Sequence, residues 1–510
     1  MVSKYPQAAS PLFAGTPEAI ASSGAAAPAS PLRAEFTRRG VLAAGAALAL
    51  GAGAARARSA DLAPVDVIVL GAGISGLHAA RMLQKEGLTV SVLEGSARVG
   101  GRCWSGTDVP GRPEFGAGTV GAGYGRVRAN AAELNVDLVP PPPGSRDIVV
   151  KADAGFSVYG RPVAALPWAD SPLNLLAPQE HKMAPSTLLS HYLAHDAGLD
   201  NLTDWLTPEF AWLDKLSLRE YFSSLGASRE ALRLMEAQAP AANLDEANAL
   251  HFVRRTVYYG WEARAGRAHR VKGGTSALTD AMAASLRQPV QLNRFVRSIR
   301  ADAKSVEVLC ADGTRHRARS AISTIPFAVL KSLRVDGPVA AAQRAGWSAL
   351  RSTAVVQVYM TVESPFWERD GALADMWSDS PLSRVYHLPS ATDPCGILCG
   401  WISGDAAKAL PSTDPAAIGR WTVAELARMR PASTGQVSVT HVHDWRAQPG
   451  ELGHMASYQP GDIGRYAQAL QQPVGALHFA GDHLGRVHVG LEAACEAGEH
   501  AAMAVMDRLL

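Results

Sequence analysis

The chain has 510 residues, 47% of them apolar, which is enough to bury a large core in two or three domains and excludes a disordered chain. The net charge of +2 excludes a nucleic-acid protein held by electrostatics. Residues 1 to 60 carry six basic and two acidic side chains, so the remainder stands near neutrality at −2 and its charge is silent about substrate.

The first 36 residues are rich in Ala, Ser, Pro and Gly, and Thr37-Arg38-Arg39-Gly40-Val41-Leu42 then leads into a weakly apolar Ala/Gly/Leu stretch reaching about Ala54. Paired arginines before a short apolar run, with small residues at Ala55-Arg56-Ala57 or Ser59-Ala60, resemble a twin-arginine export signal, which implies the export machinery as a partner and a periplasmic or secreted protein. The run is too short and Gly-rich to span a bilayer, which takes ~20 strongly apolar residues, and no later segment qualifies, so stable membrane insertion is not expected. Five scattered cysteines form no disulfide framework, although Cys395 and Cys399 could pair in an oxidising compartment.

Val65 to Leu70 is a β-branched apolar run that enters Gly71-Ala72-Gly73-Ile74-Ser75-Gly76-Leu77, and apolar positions then recur at helical spacing to Glu86. Strand, tight turn and helix in that order suit a dinucleotide pyrophosphate: Gly71 allows the turn, Gly73 lets backbone N–H groups approach, and Gly76 lets the helix lie close to the sheet. Gly87 stops the helix, and Leu88 to Leu93 reads as a second strand ending at Glu94, at the distance from Gly71 needed to reach a ribose hydroxyl. These features suit FAD and NAD equally.

The residues that follow, Glu94-Gly95 and Arg98-Val99-Gly100-Gly101-Arg102, resemble the RxGGR signature of the flavoprotein group containing amine oxidases and carotenoid desaturases. Near the C-terminus, Leu477 to His483 and Gly490-Leu491-Glu492 to Gly498 resemble that group's closing strand and helix. The resemblance implies FAD, with Arg102 on phosphate, Gly481 and Asp482 at the ribityl chain, Gly490 and Leu491 at the flavin's carbonyl edge, and Val296 at the adenine. Between these markers, Val271 to Leu286 reads as a Gly turn and helix, and Val290 to Ile325 as strands broken at Asp312-Gly313. The expected class is α/β: a Rossmann-type FAD-binding domain of the two-dinucleotide-binding-domain flavoprotein kind, with a discontinuous α+β substrate-binding domain. The expected boundaries are an export segment 1–60, FAD-binding parts 61–145, 266–332 and 466–510, and substrate parts 146–265 and 333–465. Pro140 to Gly144 marks one junction, because proline prevents both helix and central strand. At their spacing Trp205, Trp212, Tyr258, Tyr259 and Trp261 read mostly as core.

The chain from residue 64 onward resembles the flavin amine oxidases, with three departures. Eight residues before Pro365-Phe366-Trp367, where many of these enzymes carry a lysine linked to oxygen reactivity, stands Gln357, which can hold a water but carries no charge. The two aromatic positions that sandwich the amine in monoamine oxidases fall on Gly490 and on His454 or Met455, so that cage is missing. His454 and His488 are thereby candidate acid–base groups facing substrate. The cysteine that tethers FAD in some relatives falls near Gly453, so FAD is expected non-covalently. No metal site is expected. The implied chemistry is hydride transfer from the carbon bearing an amine or amino-acid nitrogen, with oxygen or a periplasmic electron carrier as acceptor. Two rival readings stand beside it: a flavin dehydrogenase or desaturase acting on C–C or C–O bonds, and a non-catalytic flavin-binding factor.

Overall fold

A computed structural model describes residues 65–141, 155–162, 167–195, 197–389, 395–410 and 412–510, all within one compact unit that ends at Leu510. The twin-arginine pattern and Pro142 to Gly144 lie outside the described residues. Val65–Leu70 (β1) buries its last four side chains completely, as a parallel strand covered on both faces must. It leads through the glycine turn into Ile74–Lys85 (α1), and the chain returns at Val90–Leu93 (β2), which pairs with β1 in parallel. On the other side of β1 lies Arg315–Ser323, also parallel, followed by Val306–Cys310, Val296–Ala301 and Arg334–Asp336; Leu477–Phe479 joins Arg315–Ser323 beyond the end of Val306–Cys310. Three distant stretches thus make one sheet.

The segment 290–325 holds three strands and two turns, not a single break at Asp312-Gly313. The missed turn follows Asp302, whose carboxylate accepts from the backbone N–H groups of Lys304 and Ser305 at 2.7 and 2.8 Å and reverses the chain without a glycine.

A second sheet runs in the order Val437–Asp444, Val355–Val362 (β3), Ile397–Ser403, Arg384–Leu388, Met376–Ser378, Gly155–Val158, Arg161–Pro162, and only Met376–Ser378 with Gly155–Val158 is parallel. Side chains alternate along a strand, and β3 uses both faces. Val356, Val358, Met360 and Val362 join a satellite core, whereas Val355 and Tyr359 face the main one. Gln357 is on the Val355/Tyr359 face, which turns it toward Trp445 and the segment of Glu114 and Phe115. Cys395 and Cys399 are both buried, and no disulfide joins them.

Two helices frame the space between the sheets. Ala249–Ala265 (α2) is capped by Asn248, whose side-chain oxygen accepts from the His251 N–H at 2.9 Å, and it ends at Gly266. Gly490–Leu509 (α3) packs along α1. The expectation that the aromatics of this region are mostly core is corrected here: Trp205 and Tyr258 are buried, but Trp212, Tyr259 and Trp261 are about half exposed. The first turns of α2, with Val257 and Tyr258, meet the core, and its C-terminal half turns the other rings outward.

Candidate active site

The turn between β1 and α1 has no room for larger residues at one position. A Cβ on Gly76 would lie 2.1 Å from the Gly71 carbonyl oxygen, so only glycine lets the helix begin this close to the strand. Ile74 and Ser75 open α1, whose first N–H groups have no partner within the helix. The Ser75 hydroxyl is buried without a hydrogen-bond partner among the described residues. Gly73 bridges in parallel to Gly100, and Gly100 donates to the Ala72 carbonyl at 2.8 Å, so the second glycine-rich loop lies directly against the first. Free backbone donors, a helix N-terminus and an orphaned hydroxyl together fit a pyrophosphate.

Glu94 follows β2, and its carboxylate accepts from Ala72 N–H at 2.7 Å and Ser96 N–H at 2.8 Å, which fixes its direction beside the turn. Gly95 faces the Phe295 ring; Val296, the next residue, is buried at the start of its strand, while Arg294 N–H donates to the Glu94 carbonyl at 2.7 Å. Val296 is therefore brought to the Glu94 end of the turn, as a residue near an adenine must be.

Arg98 lies flat over the Trp104 ring, 3.6 Å from its centroid, and pairs with Glu451 at 3.5 Å. Gly101 follows, and Arg102 reaches across the molecule to Asp482 and to the His454 carbonyl, the latter at 3.0 Å. Burial alone would raise the Asp482 carboxyl, but Arg102 and His483 outweigh it and hold it well below the usual carboxylate range. Asp482 follows Gly481 at the end of the closing strand, and Gly490 and Leu491 open α3 a few residues on.

The three candidate catalytic side chains fall in two places. Gln357 is buried and accepts from the Trp445 indole N–H at 3.2 Å; His454 packs edge-on against Trp401 and Trp445, at 5.5 and 5.9 Å between centroids. Burial, then the charge of Arg102, pushes His454 down to about 4, so its ring is neutral near pH 7. His488 sits apart, against α3 and Tyr258, with its Nδ1 3.1 Å from Glu496. Burial would raise Glu496, but the His488 side chain and the N–H groups of His488 and Val487 hold it at about 2.

Two adjoining cavities share Leu350, Ala456 and His483. Arg102, Glu451 and Gly453 line the smaller; His251, Arg254, Arg255, Asp482, His488 and Gly490 line the larger. Sequence reasoning missed several residues here. Tyr124 places its hydroxyl 3.4 Å from where a Gly490 Cβ would stand, so an aromatic ring from a distant segment adjoins the position where the cage residue is lacking. His441, His443 and Trp445 alternate toward Phe115 and Trp104, and burial, then His441, pushes His443 down to about 3. The repeating His-x-His-x-Trp of that strand is a period-2 signal that could have revealed one face; its partners could not be read.

The comparison with known protein families decides the class: the family described as flavin containing amine oxidoreductase matches residues 74–506. The chain belongs to that family. This amine oxidoreductase is therefore an FAD-dependent oxidoreductase. It is 27% identical to a putative flavin-containing monoamine oxidase, AofH, of Mycobacterium tuberculosis, across 86% of this chain and 96% of the relative. It is 24% identical to an L-amino-acid oxidase of Siganus canaliculatus, across 87% and 86%. Among solved structures, wild-type putrescine oxidase bound to putrescine superposes with a TM-score of 0.70 at 23% identity, over 88% of this chain and 100% of that one, which establishes the common fold.

Proposed function

We propose that this amine oxidoreductase oxidises a small primary amine or amino acid, and that the two cavities hold FAD non-covalently with the substrate beside it. Bound FAD supplies the hydride acceptor, converting the carbon–nitrogen single bond of the substrate to an imine that water hydrolyses. In this reading the Gly71–Gly76 turn and α1 hold the pyrophosphate, Glu94 a ribose, Val296 the adenine, Arg102 and Asp482 the ribityl and phosphate region, and Gly490 and Leu491 the flavin's carbonyl edge. The N-terminal dipole of α3 there stabilises negative charge on the reduced cofactor. Gly453 offers no thiol for a covalent tether.

The observation that carries the reading is the junction of Arg102, from the second glycine-rich loop, with Asp482, 380 residues later, which joins a wall residue of the smaller cavity to one of the larger. Trp445 packs beside both Gln357 and His454, and a site kept dry there would favour the neutral amine.

Gln357 supports a second reading, in which electrons leave to a carrier rather than to oxygen: its uncharged amide is bonded to Trp445 where the resemblance places a lysine. The paired arginines and the small-residue site support export before either chemistry. Anaerobic bleaching of the flavin absorbance by amines, amino acids and alcohols, followed by air, tests both readings. Bleaching by an amine and fast reoxidation make it an oxidase; slow reoxidation makes it a dehydrogenase. Bleaching by alcohols alone overturns amine chemistry.

A further inference from the structure

α2 turns His251, Arg254 and Arg255 toward the larger cavity, at the i, i+3 and i+4 positions that share one helix face. The two arginines differ in what they hold. Arg254 is buried over the Trp205 ring at 4.3 Å, and its Nη2 donates to the carbonyls of Gly485, Arg486 and His488 at 3.2, 3.1 and 2.9 Å, so it ties α2 to the loop before α3. Arg255 is half-buried and meets Tyr259 twice, by a long 3.4 Å contact to its hydroxyl and with its guanidinium carbon 5.8 Å from the ring centroid; among the described residues it has no ion pair.

The carboxylates near this cavity are already taken. Asp482 is paired with Arg102, and Glu496 is bound by His488 and backbone N–H groups. The cavity wall therefore carries two guanidinium charges and no free acid to balance them. Their charge reaches into the site, since Arg255 contributes, after burial, to holding both His251 and His454 unprotonated. A simple alkylammonium entering here meets like charge, and a desolvated guanidinium without an anion is costly. A carboxylate on the substrate removes that cost and accepts two parallel charge-assisted hydrogen bonds from the guanidinium fork.

We propose that the larger cavity selects substrates bearing a carboxylate, with Arg255 as the residue that binds it; this rests on the amine-oxidation reading and narrows it to amino acids or amino-carboxylates over monoamines. Arg254 is a positioning residue, fixing α2 so that Arg255 faces the site.

The test uses the flavin-loaded protein and two non-reducing probes of one shape, benzoate and benzamide, followed by their perturbation of the flavin absorbance. Benzoate is expected to bind at least roughly tenfold more tightly, which corresponds to ~1.4 kcal/mol. Arg255→Met is expected to abolish that advantage, while Arg255→Lys, which keeps the charge without the fork, retains part of it and shows that the cavity remains folded. An α-amino acid, its amide and the decarboxylated amine are then compared by anaerobic bleaching, and Arg255→Met is expected to lower the acid-over-amide ratio of kcat/KM by roughly tenfold or more. Equal binding of benzoate and benzamide, or an advantage that survives Arg255→Met, overturns the proposal. If benzoate binds through Arg255 but no amine bleaches the flavin, amine oxidation fails and the anion site stands. If all three amines bleach it equally, the anion site fails and amine oxidation stands.

Discussion

Arg102 and Asp482 form an ion pair whose worth depends on pH in a definite direction. The folded Asp482 carboxyl lies well below its ordinary value of 3.8, so the pair contributes fully above about pH 5 and drains away as pH falls through the unfolded value toward the folded one. Asp482→Asn leaves the Arg102 charge without its partner and is expected to cost about 3 kcal/mol near neutrality. The gap in melting temperature between the variant and the parent should hold above about pH 5 and begin to narrow only as pH falls below the ordinary 3.8. His454 acts in the same direction but from a higher pH: its folded pKa of about 4 is below the ordinary 6.5, so the fold resists protonation and loses stability as pH falls below that ordinary value. Because the ring stays neutral, His454→Asn is expected to lower kcat/KM while leaving the inflections of the pH–rate profile between about pH 6 and 8 in place.

At the scale of elements, α1 and α3 cross where glycine is required. A Cβ on Gly498 would lie 2.5 Å from the Ser75 carbonyl oxygen, so Gly498→Leu must push the helices apart. The displacement is expected to cost about 1 to 3 kcal/mol, read as a lowered melting temperature, and to weaken FAD retention because Ser75 opens the helix that faces the phosphates. A second junction depends on Asp214, whose carboxylate accepts from Asn248 Nδ2 at 2.7 Å and from the N–H groups of Ile463 and Gly464 at 3.1 and 3.0 Å. It thereby fixes the start of α2 relative to the helix Asp462–Leu470. Asp214→Ala is expected to destabilise by about 2 kcal/mol, by leaving those donors unsatisfied.

Across the whole molecule, the cofactor is expected to act as a clasp. Arg98 with Glu451, and Arg102 with Asp482, join segments separated by hundreds of residues, and the pair of cavities is lined by α2, the loop before α3 and the segments around Phe327, Arg351 and Gly453. Binding to the folded chain alone stabilises it by ~2.7 kcal/mol at a hundredfold excess over the dissociation constant. Removal of FAD should lower the melting temperature and open the joint to limited proteolysis, and added FAD should reverse both.

The β1–turn–α1–β2 unit was legible because it is contiguous: β-branching, the glycines of the turn and the following helical periodicity act on neighbours in the chain. The RxGGR segment and the closing helix were legible for the same reason. Reading went wrong where packing outside the segment decides the outcome, as with Tyr259 and Trp261, whose helical spacing cannot tell which half of α2 meets a core. It also missed the hairpin at Asp302, where a side chain rather than a glycine turns the chain. The pairing of Arg102 with Asp482, the meeting of Gln357 with Trp445, the approach of Tyr124 to Gly490 and the uncompensated charge of Arg255 belong to the tertiary structure alone. Local sequence determines backbone preference within a few residues, whereas contacts across hundreds of residues depend on which faces two sheets bury against each other, and no periodicity within one segment carries that information.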